Sequence, residues 1–128
     1  MNRALLIAFS LGLAACASAE SRGVALTGAR LERALSNASA HPLGSRANPV
    51  RAEGLAGSRA YLARLRCANG AAPRATSSGS ASIGPFGSVI ERYEVVCDGG
   101  DPPAASLFVD THHAHIEAEA PPGFAIMP

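Results

Sequence analysis

The chain of 128 residues contains no lysine and no tryptophan, and all 11 of its basic side chains are arginines. Without lysine there is no amine for a Schiff base, no P-loop lysine and no Ser–Lys dyad. Charge of either sign is also scarce: 11 basic residues face 10 acidic ones, leaving a net charge of +1. No positive field is available to gather phosphates, which argues against a nucleic-acid partner or a membrane contact driven by bulk charge. Aromatics number only two tyrosines and four phenylalanines, and the 48% hydrophobic fraction includes 27 alanines. Alanine buries little area per residue, so the core is expected to be thin. The length suits one domain, and no internal repeat is present.

What is there begins with an address. Residues 1–3 carry one positive charge, and residues 4–15 (ALLIAFSLGLAA) are uncharged and mostly apolar. Twelve residues cannot cross a bilayer, which takes about 20, but they suit the apolar stretch of a signal peptide. The run ends in Leu13-Ala14-Ala15-Cys16, which resembles the lipobox of bacterial lipoproteins. That resemblance covers residues 1–16. It implies a signal peptide over 1–15, acylation of Cys16 and membrane attachment through the lipid. Ala17, where an aspartate would retain the chain at the inner membrane, implies an outer-membrane lipoprotein facing the periplasm. The A-x-A site Ala17-Ser18-Ala19 offers an alternative, cleavage before Glu20, which would release a soluble periplasmic or secreted protein. Residues 16–25 read as the lipidated tether and 26–128 as a single small globular domain.

From Cys16 onward the chain has 113 residues and only 24 Val, Leu, Ile, Met, Phe or Tyr side chains. A covalent staple would help, and in an oxidising compartment Cys67 and Cys97 are expected to form one. Closing a loop of 31 residues should contribute roughly 3–4 kcal/mol. Each cysteine ends a strand-like run and enters a glycine turn, Leu65-Arg66-Cys67 and Val95-Val96-Cys97. A plain hairpin would hold such ends a strand length apart, about 26 Å for eight residues, against the ~6 Å a disulfide spans. The two strands are therefore expected to run the same way, as neighbours or flanking a third.

Residues 26–37 carry helical signals, with Thr27 as N-cap and Leu31 and Leu35 one turn apart. Residues 50–53 suit a short strand. Residues 61–67 alternate like a half-buried strand, although a helix starting near Ser58 competes. Residues 68–88, rich in Gly, Ser, Ala and Pro, read as a long exposed loop that turns Phe86 into the core. Residues 89–97 form the strongest strand, and 106–117 another. The tail residues Phe124, Ile126 and Met127 are expected along an edge. The fold class is α+β and β-rich, with one N-terminal helix and a small three- or four-stranded sheet stapled by one disulfide.

One constellation could carry chemistry. Three of the four histidines lie in Asp110-Thr111-His112-His113-Ala114-His115-Ile116-Glu117. On a strand, His113 and His115 share a face, and Glu117 follows on it. They form a candidate metal set of His113, His115 and Glu117 for zinc or copper, with His41 as a distant fourth ligand. The competing reading is a solvated face backed by buried Phe108 and Ile116. Asp110 and His112 could form an orienting pair, but no nucleophile elbow accompanies them. The serines of residues 77–82 read as linker-like chain. Gly79, Gly84 and Gly87 make no phosphate cradle, because no helix or lysine follows. Arg59, Arg64 and Arg66 are expected opposite Glu91, Glu94 and Asp98. A protein-binding patch anchored by Tyr61, Tyr93 and Phe86 is the alternative.

These features favour a non-enzymatic cell-envelope lipoprotein that acts by interaction with an envelope protein. The alternative is a periplasmic metal-binding protein using His112, His113 and His115. Small disulfide-bonded envelope lipoproteins that inhibit lysozyme are similar in size and architecture, without a shared motif.

Overall fold

The computed structural model describes residues 23–128. The signal segment, the lipobox, Cys16 and most of the tether lie outside the described residues. The described chain is mixed α+β and strand-rich. Its elements are α1 (Gly28–Ala38), β1 (Val50–Glu53), α2 (Gly54–Arg64), β2 (Leu65–Cys67), β3 (Arg74–Ile83), β4 (Val89–Val96), β5 (Ala104–Asp110), β6 (His112–Ile116) and β7 (Phe124–Ile126). Two helices stand where the sequence suggests one. The main sheet has five strands in the order β3-β4-β5-β1-β6, and β2 and β7 form a separate two-stranded ribbon.

The core follows from alternation in β4 and β5. Tyr93 pairs with Leu107 and Val95 with Ala105, so alternate side chains project to one face. Val50 and Ala52 of β1 join that face, and α2 covers it with Tyr61, followed by Leu65 of β2. Phe86 packs beneath the opposite face with no exposed surface, as does Ile90, which agrees with the expectation that residue 86 turns inward.

Several expectations are corrected. Residues 61–64 are helical. Alanine and leucine favour that conformation, and the buried Ser58 and Tyr61 sit three apart on one side of α2. Gly54, at φ +65°, lets β1 turn directly into this helix, a backbone state other residues resist. The expected loop over 68–88 contains β3, ten residues paired with β4. Almost every β3 side chain is exposed, so no apolar alternation could announce it. The neighbouring ladder makes this segment a strand despite its weak intrinsic propensity.

The single strand expected over 106–117 is two strands that straddle β1. β5 runs parallel to β1 on one side, and β6 runs antiparallel to it on the other. The chain crosses the end of β1 at Thr111, whose carbonyl accepts the Gly54 N–H at 2.8 Å. Beyond the crossing the inward and outward faces are reset. Ile116, expected to be buried, is 83% exposed, and Phe108 is only half-buried, under the Arg46 guanidinium 4.8 Å from its ring centre.

Cys67 and Cys97 are bonded, with Cα atoms 5.8 Å apart. Cys67 ends β2 and Cys97 follows β4. Their strands belong to different sheets, so neither expected arrangement within one sheet applies. The bond instead fastens the ribbon to the main sheet, and it carries the C-terminal strand β7, which pairs with β2. Replacing both cysteines by alanine should cost about 3–4 kcal/mol of unfolding free energy, measured by urea denaturation. A loss under about 1 kcal/mol would mean that packing of Phe124 and Ile126 holds the ribbon unaided.

Candidate functional site

The histidine segment is built around Asp110, a carboxylate with no exposed surface. Ser88 Oγ, at 3.0 and 2.8 Å from its two oxygens, donates to the carboxylate, and the His112 backbone N–H donates to it at 2.9 Å. His113 Nδ1 lies 3.3 Å from the same Oδ1, and its Nε2 donates to the Leu26 carbonyl at 3.2 Å. The ring meets Phe86 edge-on with centroids 5.9 Å apart. Ser88, Asp110 and His113 have the composition of a hydrolytic triad but different wiring. The serine donates to the carboxylate, and the nitrogen that would accept its proton in catalysis is on a backbone carbonyl instead. The cluster joins the end of the β3–β4 hairpin, the β5–β6 crossing and the N-terminal segment at Leu26.

The approach of that segment is possible because of Gly87. At φ +93° it has the Val24 carbonyl packed against its Cα, leaving no room for a side chain.

The β1–β6 ladder steps from Ala52–Ile116 to Glu53–His112, so residues 113–115 arch out of register. The arch sends the two candidate ligands to different surroundings. His113 is buried against Asp110, whereas His115 is half-buried beside Arg51 and Glu117. Its Nε2 is 3.5 Å from Glu117 Oε2, and Glu117 Oε1 accepts the N–H groups of Ala118 and Glu119 at 3.1 and 3.2 Å. Among the described residues no group of three or more His, Cys, Asp or Glu side chains is placed to hold a metal ion. The expected Asp110–His112 pair is loose, with His112 Nδ1 3.6 Å from the carboxylate and its side chain half exposed.

The expected arginine pairs are different as well. Arg64 donates to the carbonyls of Met127 and Glu117 at 2.9 and 3.1 Å, and Arg66 to those of Ala63 and Leu65 at 2.9 and 2.7 Å. Asp98 pairs with Arg74 at 2.9 Å and Glu94 with Arg92 at 3.6 Å, all at the surface. Tyr61, Tyr93 and Phe86 are 3%, 5% and 0% exposed, so none can anchor a partner from the surface.

Beside His115 a groove of about 560 Å³ opens between α2 and the β1–β6 arch. Its walls are Ala52, Ala56, Gly57 and Ala60, and Arg51, Arg64, His115 and Glu117 stand around them. Sequence reasoning missed Arg51 and Ser88, because a lone arginine and a lone serine become informative only once the fold sets Arg51 beside His115 and Ser88 against Asp110.

Tyr61 forms part of the groove wall, and its hydroxyl donates to the Glu119 carbonyl at 2.9 Å. Burial, then the nearby Glu117 carboxylate, pushes this phenol well above the usual tyrosine range. Burial raises Tyr93 in the same direction. An unfolded tyrosine ionises near pH ~10, so the folded chain holds these protons more tightly. The associated stability is complete below about pH 10 and is lost as pH rises further. The urea midpoint should therefore fall on the alkaline side, and Tyr61→Phe should flatten that fall; an unchanged slope would contradict the assignment. Comparison with protein-family models, curated proteins and solved structures finds no match for this chain.

Proposed function

We propose that this chain is a cell-envelope lipoprotein, anchored through Cys16 in the outer membrane and facing the periplasm, that acts by binding rather than by catalysis. The observation that carries the reading is the Cys67–Cys97 bond between the two sheets. A staple of this kind persists in exported proteins and is rare in reducing compartments. The lipobox-like Leu13-Ala14-Ala15-Cys16 supports the same destination. The interaction role is supported by the polar cluster at Asp110, whose groups are occupied by one another. It is also supported by an open groove with small apolar walls. A zinc or copper site would have to draw on His115 and Glu117, because both ring nitrogens of His113 face other partners.

The test is expression of the full chain in a Gram-negative host supplied with radiolabelled palmitate. The parent should carry label and sediment with outer-membrane density, and Cys16→Ala should lose both properties. Unlabelled, soluble parent chain beginning at Glu20 would instead establish cleavage after Ala19 and remove the anchor from the account.

A further inference from the structure

Arg51 stands out among the arginines. Its Nη2 lies 3.4 Å from His115 Nδ1 and 3.5 Å from Nε2. Those near-equal distances mean that the guanidinium is not aligned along either ring lone pair. No carboxylate among the described residues forms an ion pair with it. Arg64, the other cation of the groove, differs in having Nε and Nη1 on backbone carbonyls. A guanidinium carries five donors in a planar fork, and Arg51 has no oxygen acceptor for them in the described chain.

The surroundings define what would fit. Ala52, Ala56 and Ala60 supply an apolar wall next to the cation, and the space of about 560 Å³ lies within the range typical of small-ligand sites, about 300–1,000 Å³. Two carboxylates, Glu53 and Glu117, also border the groove. They would oppose a phosphate dianion more strongly than a single negative charge. His115 Nε2, which faces Arg51, also lies 3.5 Å from Glu117 Oε2, and Glu117 is itself fixed by two backbone N–H groups.

We infer that this groove binds a carboxylate carried on a short apolar body, with the carboxylate on the Arg51 fork and the apolar part along Ala52, Ala56 and Ala60. Such chemistry is offered by the C-terminal residue of a peptide or by a free fatty acid. The inference stands apart from where the chain is anchored.

The experiment is amide NMR on the oxidised, isotope-labelled full chain carrying Cys16→Ala, titrated with N-acetyl-leucine, octanoate or octanamide. Saturable shifts should centre on Ala56, Gly57, Ala60 and Glu117 with at least one of the two acids. The uncharged octanamide should bind more weakly than octanoate by roughly tenfold or more, the weight of a lost charge-assisted contact. Arg51→Gln should weaken the acids by a similar factor and leave octanamide unchanged. Ala60→Leu, which fills the groove without touching Arg51, should abolish binding of all three. A stronger response to N-acetyl-leucine would identify a peptide C-terminus as the source, and a stronger response to octanoate would identify a fatty acid. The inference is overturned if neither acid gives saturable shifts at millimolar concentration, or if octanamide matches octanoate. Full acid binding by Arg51→Gln would overturn it too.

Discussion

A single buried carboxylate organises one side of this protein. Asp110 sits at the point where the chain leaves β5, crosses the end of β1 and returns as β6. It accepts hydrogen bonds from Ser88 and the His112 backbone and faces the His113 ring. Through His113 the same group reaches the Leu26 carbonyl. Three stretches remote in sequence, at residues 26, 88 and 110–113, are thereby tied together around the buried side chains of Ser88, Asp110 and His113. Such a set stabilises only when complete, because each buried polar group left unmatched costs about 1–3 kcal/mol. The disulfide performs the corresponding task on the other side, where apolar side chains are few, by fastening the β2–β7 ribbon to the main sheet.

The exit of β6 from this cluster sets the surroundings of the two histidines that follow. The arch at residues 113–115 turns one histidine inward and brings the next to the mouth of the groove. Two imidazoles separated by a single residue thus have different surroundings. His113 packs against Asp110 and Leu26, and His115 lies beside Arg51 and Glu117. The small side chains of α2, Ala56, Gly57 and Ala60, keep the groove open where larger ones would close it.

Features that rest on local chemistry were legible in the sequence. The strong strand at β4, the inward turn at Phe86 and the pairing of Cys67 with Cys97 all follow from neighbouring residues. The features that were not legible depend on partners far along the chain. β3 has no apolar alternation, and the edge of β4 templates it. Tyr61 alternates with its neighbours as a strand would, yet alanine-rich flanks and the Gly54 turn place it in a helix. The break at Thr111 reverses the expected faces of residues 112–116 because the chain must pass around β1. The importance of Arg51 and Ser88 appears only when the register is known.

The central claim is that His113 is a structural member of the Asp110 cluster and is unavailable as a ligand. Imidazole-selective NMR of the oxidised full chain during a zinc titration tests it most directly. The account predicts a slowly exchanging Nε2 proton on His113, hydrogen-bonded to Leu26, with ring resonances unmoved by zinc while any perturbation stays at His112 and His115. Stoichiometric zinc shifting His113 and His115 together, with loss of that proton, would contradict it.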